Sequence, residues 1–190
     1  SGALLCLDVT ERIVDEAAQK GCNLIVSHHP LIFRKLSRLT GEDYVQRCVM
    51  KALAQGIVIL SLHTNMDNAK GGVNYKIAEK MGLTDVRFMS AKQMDGVEYG
   101  SGVVGCFVEP LAADDFIILL KRVFGVECVQ ANELLRRPIR TVAICGGSGS
   151  FLLDDAANAG IDAFVTGEMH YHEYFGREQQ IQIAVIGHYQ

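Results

Sequence analysis

The sequence predicts an α/β fold made of two related lobes, with mixed or parallel sheets flanked by helices. Apolar, β-branched runs alternate with segments of helical period along most of the 190 residues, a pattern typical of β-α-β units. The predicted strands are continuously apolar, which favours sheets covered by helices on both faces. A shift of 139 positions places Cys6 on Cys145 and Gly21 on Gly160 without a gap, which indicates that the two halves are related.

The first half contains three predicted strands and three predicted helices. Thr10 is predicted to cap the first helix, and Gly21 to end it. The glycines Gly71 and Gly72 separate the third helix from what precedes it. The strands are Ala3–Asp8, Asn23–Ser27 and Ile57–Leu62, and the helices are Glu11–Lys20, Tyr44–Ala54 and Val73–Met81.

The second half repeats this alternation. Its strands are Val103–Val108, Ile139–Cys145, Asp162–Thr166 and Ile181–Ile186, and its helices are Ala112–Phe124 and Phe151–Ala159. The glycine-rich segment Gly146–Ser150 joins a strand to a helix. Its backbone N–H groups could hold a phosphate, but it lacks a nucleotide-binding pattern, so a tight connection with a serine helix cap is favoured.

Two lobes follow from this organisation, one over residues 1–88 and one over residues 97–190. The stretch 85–100 fits no regular element, so the boundary is predicted at 89–96. The internal repeat has an ordinary explanation as well, because any two strand-helix-strand units share small residues and a glycine stop. Ungapped matching over more than twenty residues favours duplication.

Composition excludes several classes of function. The net charge is −4 and the basic residues are scattered, so a nucleic-acid-binding groove or an anionic membrane surface is not expected as a partner. No segment has the apolar length needed to cross a membrane. The six cysteines form no C-x-x-C pair, which indicates a reducing compartment and predicts a cytoplasmic protein.

The six histidines all lie at or just beyond the C-terminal end of a predicted strand. Ligands in open α/β sheets gather at such ends, so these segments are expected to converge on one crevice. Asp67 and Glu168 stand in the same segments as the histidines. The histidines are His28, His29, His63, His170, His172 and His188.

Imidazole and carboxylate donors together predict a site for divalent metal ions, with Zn, Fe, Mn, Co and Ni all compatible. Neighbouring side chains of an extended backbone point opposite ways, and Pro30 favours that conformation at His29. One ion is therefore not expected to bind both His28 and His29. Two ions, about 3.5–4 Å apart, could each take one histidine, and Asp67 could bind one of them.

Each of these segments also has an explanation without metal. His28-His29-Pro30 is compatible with an ordinary loop, and His63 with Asp67 forms a hydrogen-bonded turn in the alternative interpretation. His188 alone would be a strand-end histidine. The segment from Glu168 to His172 could line a solvated helix start. The coincidence of all of them at strand ends favours metal binding.

These segments together resemble the NIF-three-like family, the type 2 homologs of GTP cyclohydrolase I. The resemblance runs in order over nearly the whole chain and implies a homohexameric ring of two-lobed chains. The matching segments are 23–31 (NLIVSHHPL), 63–67 (HTNMD) with 72–74 (GVN), 142–149 (VAICGGSG), 166–172 (TGEMHYH) and 187–189 (GHY).

By motif position the resemblance implies a dinuclear metal centre in the cleft between the lobes. Four residues are assigned as its ligands, and the C-terminal strand is expected to return the last of them to the cleft. These ligands are His28, His29, Asp67 and His188. Three further residues are expected to face the cleft as catalytic groups that move protons. They are His63, Glu168 and His172.

The implied activity is that of a metal-dependent hydrolase, with GTP as the small-molecule substrate. Water would attack the imidazole ring of the purine, and formate would leave. The alternative is a non-catalytic metal-binding or regulatory protein that acts through its interactions.

The resemblance also implies residues that the sequence does not contain. The family has a glutamate four residues after the His188 position, which is beyond Gln190, and a segment before the Ala3–Asp8 strand. Some members insert a domain between the lobes, for which residues 89–96 are the predicted place. The sequence is therefore expected to be part of a longer protein.

Overall fold

The computed structural model describes residues 2–189. The fold is the predicted mixed α/β type, with one parallel and one mixed sheet flanked by helices. The chain divides into two compact units, Ser1–Met66 and Asp67–Gln190. Within the described residues, no helix has the length and apolar character needed to cross a membrane.

The first unit is a three-stranded parallel sheet of order β1-β2-β3 with two helices. Its strands are β1 (Ala3–Cys6), β2 (Leu24–Ser27) and β3 (Val58–Ser61), and its helices are α1 (Glu11–Gln19) and α2 (Tyr44–Ala54). The predicted cap of α1 is confirmed, because Thr10 Oγ1 accepts a hydrogen bond from Ile13 N at 3.4 Å. Gly21 follows the helix at φ +66°, a conformation that glycine adopts without strain.

The helices cover only one face of this sheet. Burial alternates along β1 and β3, so that Leu4 and Ile59 pack into the core beneath the helices. On the opposite face Leu5 is 75% exposed and Val58 62% exposed. The prediction of helices on both faces is therefore wrong for this sheet.

The reason is that α1 and α2 lie side by side. Arg47 Nε of α2 donates to Glu11 Oε1 of α1 at 2.8 Å, and Lys51 Nζ lies 2.9 Å from Asp15 Oδ2. Both helices also bury their apolar sides in one cluster that includes Val14, Ala17, Cys48 and Ala52. The sequence pattern gives each helix an apolar side but does not assign it to a face of the sheet.

The second unit is built on a six-stranded mixed sheet of order β4-β5-β7-β8-β9-β6. The pairs β7-β8 and β8-β9 are parallel, and the other three pairs are antiparallel. Its strands are β4 (Thr84–Met94), β5 (Val97–Leu111), β6 (Gln130–Ala131), β7 (Ile139–Cys145), β8 (Ala163–Thr166) and β9 (Gln182–Val185).

Helices cover both faces of this second sheet, as predicted. One apolar cluster contains Phe116 and Leu120 of α5, and the other contains Leu153 and Ala156 of α6. Every residue of β8 and β9 is buried, as expected for parallel strands enclosed between helical layers. The helices are α4 (Val73–Met81), α5 (Ala113–Phe124) and α6 (Leu153–Asn158), and the short helix α3 (His63–Asp67) precedes them at the point where the units divide.

The division between the units lies earlier than the predicted boundary at 89–96. Strands β4 and β5 form a long antiparallel hairpin through Asp95-Gly96, so residues 89–96 lie within one hairpin of the second sheet. Residues Ile77 and Leu83 pack into the core of the second unit, which places the segment 67–88 there rather than in the first lobe. The insertion of an extra domain at 89–96 in relatives stays a prediction.

The repeat found in the sequence is a repeat of strand pairing. Cys6 pairs with Ser27 across β1-β2, and Cys145 pairs with Thr166 across β7-β8, so the shift of 139 conserves the register. The connection to the third strand holds the whole helix α2 in the first unit but only the 3-10 turn Tyr171–Tyr174 in the second. This difference in length explains why the sequence repeat stops at the second strand.

Candidate metal centre

Three histidines come together at the strand ends of the first unit. His28 and His29 follow β2, and His63 begins α3 just after β3. One ring nitrogen from each lies within 4.8 Å of the other two. The parallel pairing of β2 with β3 brings these strand ends together. A hydrogen bond from Leu62 N to Ser27 O at 2.9 Å continues the pairing just beyond β3.

The two adjacent histidines do not point opposite ways. Their ring centroids are 4.8 Å apart, and each lies within 6 Å of the His63 ring centroid, at 5.6 Å and 5.9 Å. The expectation was wrong because His28 and His29 lie in a bend, not in an extended strand. Ser27 Oγ stabilises the bend by donating to His29 O at 2.9 Å. The positions of the two rings therefore do not require two ions.

A carboxylate that the sequence analysis missed supports this cluster. Asp8, two residues beyond β1, places Oδ1 2.8 Å from His29 Nδ1. Only its position at a strand end could have singled it out in the sequence. Its hydrogen-bond partner, His29, follows a different strand, so the sequence alone does not connect the two residues.

The second unit has a comparable arrangement at the ends of β7, β8 and β9. Ser148 Oγ donates to Glu168 Oε2 at 2.5 Å, and His188 Nδ1 lies 2.7 Å from Glu168 Oε1. The hydrogen bond from Ser148, followed by that from His188, lowers the pKa of Glu168. Glu168 is therefore ionised at neutral pH, and both of its oxygens are engaged.

Asp67, the last residue of α3, is tied to the glycine-rich turn through Asn74. The buried Asn74 donates from Nδ2 to Asp67 O at 3.0 Å and accepts from Gly146 N at 2.8 Å. Asn74 thus links the backbone of a predicted ligand to the end of β7. In the sequence, only the position of Asn74 in the 72–74 (GVN) segment indicated a role for it.

The glycine-rich turn is a tight connection, as the sequence favoured. Gly147 has φ +63°, and a Cβ there would lie 3.4 Å from His188 Nε2. At Gly149 a Cβ would lie 2.5 Å from Cys145 O, which only glycine avoids. Gly149 N donates to Thr166 Oγ1 at 3.0 Å, so that amide is bound to the end of β8. The predicted serine cap is wrong, because no side chain caps the 3-10 helix that begins at Ser150.

His172 lies in the 3-10 helix that follows β8. Its ring stacks on that of His170 at a centroid distance of 5.6 Å and an angle of 6°. Both are exposed at the start of the 3-10 helix Tyr171–Tyr174. Glu173 Oε2 accepts from His170 N at 2.7 Å and forms a capping box with it. These contacts agree with the interpretation of a solvated helix start.

The donors of both units suit a divalent ion of the imidazole- and carboxylate-binding kind. The first unit offers three clustered imidazoles, and the second offers an imidazole held by a carboxylate, together with Asp67. Metal-bound histidines almost always donate their other N–H to such a partner. The donor chemistry therefore fits the metal that the resemblance implies.

A sequence profile of the Duf34/NIF3 family (NGG1p interacting factor 3) matches residues 1–190. The chain belongs to the DUF34/NIF3 family. The family suspected from the sequence is therefore confirmed.

Two DUF34/NIF3 relatives match nearly the whole chain. A protein of Clostridium perfringens named GTP cyclohydrolase 1 type 2 homolog is 34% identical over 189 residues, which cover 98% of this chain and 71% of the relative. The protein NIF3 homolog of Schizosaccharomyces pombe is 32% identical over 197 residues, covering 99% of this chain and 70% of the relative.

The fold also matches a solved crystal structure. The crystal structure of the Staphylococcus aureus hypothetical protein SA1388 superposes with a TM-score of 0.88 and 27% identity. The match covers 99% of this chain and 74% of the other. The α/β architecture described above is therefore shared with that protein.

Proposed function

We propose that this chain is a dinuclear metal-dependent hydrolase. The observation that carries the proposal is the cluster of His28, His29 and His63, in which ring nitrogens of three residues approach within 4.8 Å of one another. Imidazole nitrogens this close together suit a divalent ion, which His28 and His29 would bind while His63 lies beside it.

The proposed ligands are His28, His29, Asp67 and His188, in line with the family motifs. Two ions per chain rest on the family resemblance and on the number of donors, since the ring positions of His28 and His29 do not require two ions. Bound divalent ions would lower the pKa of a coordinated water towards neutrality and orient it for attack. The chain supplies imidazoles and a carboxylate to hold them.

Different observations support the three predicted catalytic residues. His63 belongs to the imidazole cluster, so it is the best-placed group to move a proton there. His172 is exposed, and we propose it as a second proton-transfer group. Glu168 has both oxygens engaged by Ser148 and His188, which favours a role in positioning over proton transfer.

The proposed substrate is GTP, because relatives such as the Clostridium perfringens protein carry the name GTP cyclohydrolase 1 type 2 homolog.

We also propose a homohexamer in the cytoplasm, in line with the family and with six free cysteines. Light scattering of the purified protein gives the subunit number and tests the assembly.

The first test is elemental analysis of the full-length protein purified without added metal or chelator. We expect about two ions per chain, reduced in His28→Ala and in Asp67→Asn. The control is His170→Ala, which removes an exposed imidazole outside the proposed ligand set and is expected to keep the metal. Metal content near zero that added metal cannot raise would contradict the proposal.

The second test is release of formate from GTP. Activity that disappears with a chelator and returns with the metal would support a hydrolase. Full metal occupancy without formate release would favour the non-catalytic metal-binding alternative.

A further inference from the structure

We propose that Asp8 and Glu168 are positioning residues that fix the tautomer of His29 and His188, so that Nε2 of each histidine faces the metal. This inference rests on the proposed metal site. Neither carboxylate is itself a proposed ligand, and Asp8 lies outside every motif that carries the family resemblance.

The first pair is Asp8 with His29. Asp8 Oδ1 lies 2.8 Å from His29 Nδ1, a good distance for a hydrogen bond to a carboxylate. An ionised carboxylate accepts and cannot donate, so Nδ1 carries the proton. The lone pair of a neutral His29 is then on Nε2. A metal ligand needs that lone pair, and its orientation is set by the bond that the other nitrogen makes.

The second pair is Glu168 with His188, and it has the same form. Glu168 Oε1 lies 2.7 Å from His188 Nδ1, while Ser148 Oγ holds the other oxygen at 2.5 Å. The carboxylate is thus fixed at both ends, and the lone pair of a neutral His188 is again on Nε2. That nitrogen lies close to Gly147, where a Cβ would come within 3.4 Å.

An ordinary surface ion pair would not explain what the two pairs share. Both carboxylates bind Nδ1, and in both pairs the two partners follow neighbouring parallel strands of one sheet. The histidine side chains are only 24% and 37% exposed. Two independent surface contacts would not be expected to choose the same ring nitrogen at the same kind of strand end.

The tautomers can be read directly by long-range ¹H–¹⁵N correlation spectra of the metal-free, histidine-labelled full-length protein, above the pH range in which imidazole titrates. We expect the Nδ1–H tautomer for both His29 and His188, assigned by His29→Gln and His188→Gln. In Asp8→Ala the signal of His29 should change to a mixture of tautomers while that of His188 stays. In Glu168→Ala the reverse is expected, so each variant controls the other.

Metal affinity supplies the second measurement, with Zn²⁺ as the probe in competition with a chelator. Asp8→Ala and Glu168→Ala should each weaken Zn²⁺ binding about 10–100-fold, the usual cost of losing such a partner. Asp8→Asn and Glu168→Gln keep an acceptor oxygen and should lose less. If an alanine variant fails to fold, the Zn²⁺ affinity of the conservative variant can still be compared with that of the wild type.

The outcomes separate the two proposals. An Nε2–H tautomer of either histidine in the wild type would overturn this inference. So would unchanged Zn²⁺ affinity in both alanine variants of a protein that binds metal. A wild-type protein that binds no Zn²⁺ would overturn the proposed function instead, and the tautomers would still show whether the carboxylates orient the rings.

Discussion

Glu168 occupies in the second unit the position that His29 occupies in the first. The shift of 139 that places Ser27 on Thr166 also places His29 on Glu168, and it conserves the pairing register of the strands that lead to them. Each residue also binds a side chain from the loop after the first strand of its β-α-β unit, Asp8 in one case and Ser148 in the other. One backbone position thus presents an imidazole in one unit and a carboxylate in the other.

Replacement of Gly147 should affect both stability and metal binding. Its φ of +63° costs a residue with a Cβ about 1–2 kcal/mol, and the Cβ would lie 3.4 Å from His188 Nε2. We expect Gly147→Ala to lower the free energy of unfolding by about that amount and to weaken Zn²⁺ binding. Urea denaturation of the metal-free protein and chelator competition measure the two effects.

Gly96→Ala is the matched control for that variant. Gly96 has φ +78°, and a Cβ added there would meet nothing within 4 Å, so it carries the same backbone cost without a histidine neighbour. It should lose similar stability and keep its affinity for Zn²⁺. Equal affinities in the two variants would contradict the prediction that a methyl group in contact with His188 Nε2 hinders metal binding there.

Thr166→Val should destabilise the second unit through the glycine-rich turn. The buried Thr166 hydroxyl accepts from Gly149 N at 3.0 Å and donates to Gly147 O at 3.1 Å. Valine has the same shape but leaves a buried N–H unsatisfied, which costs about 1–3 kcal/mol. Denaturant unfolding measures the loss. Thr84→Val, at an exposed hydroxyl, should change stability by less than about 0.5 kcal/mol, and a similar loss in both would contradict the prediction.

Asp162 should make the stability of the second unit depend on pH. Burial would raise the pKa of its carboxyl, but hydrogen bonds from the backbone N–H groups of Thr141 and Arg140, with those from the Arg137 and Thr141 side chains, lower it overall. A lowered pKa means that the folded state binds the proton less readily than the unfolded state. The stabilisation is therefore present above the unfolded value, about 3.9, and is lost as the pH falls through the folded value.

Asp162→Asn removes the charge and so tests this sign. We expect the variant to be less stable than the wild type by about 1–3 kcal/mol at neutral pH, with the difference shrinking as the pH falls below about 3.9. Urea denaturation at several pH values measures it. Asp15→Asn, which breaks an exposed pair with Lys51, should cost at most about 1 kcal/mol. A difference that does not change with pH would show that the charge of Asp162 is not what stabilises the unit.

The cysteines should differ widely in their reaction with iodoacetamide. Burial, with a smaller contribution from Asp67, raises the pKa of Cys145 to about 12, and Cys48 is buried as well. Cys128 is exposed. Since the thiolate is the reacting form, mass spectrometry near neutral pH should find Cys128 labelled first and Cys145 protected until unfolding. Equal labelling of these two would contradict the placement of Cys145.

The elements with a strong local pattern could be predicted from the sequence. The helices Tyr44–Ala54 and Val73–Met81 and the strand Ile139–Cys145 have the predicted bounds. Their periodicity and glycine stops are properties of contiguous residues. The long hairpin of β4 and β5 was missed, although Asp95-Gly96 is a strong two-residue turn signal, because the mixed charge of its exposed tip obscured the alternation.

The candidate site could be predicted only in part, for a related reason. Histidines at strand ends stand out in the sequence, because the strands before them are recognisable. Asp8, Asn74 and Ser148 do not stand out, since each acts through a partner that follows a different strand or helix. The bend that turns His28 and His29 towards His63 depends on Ser27, whose hydroxyl competes with extended backbone.

The shared register of the two β-α-β units separates what a duplicated fragment must keep from what it can change. Pairing of β1 with β2 and of β7 with β8 fixes where the next residue emerges, whatever that residue is. Divergence after duplication could therefore replace donor atoms one at a time without a new core. A self-associating single fragment would present identical donors twice, whereas two fused copies can each specialise. The imidazole of His29 and the carboxylate of Glu168, at equivalent backbone positions, are the kind of difference that such a history would leave.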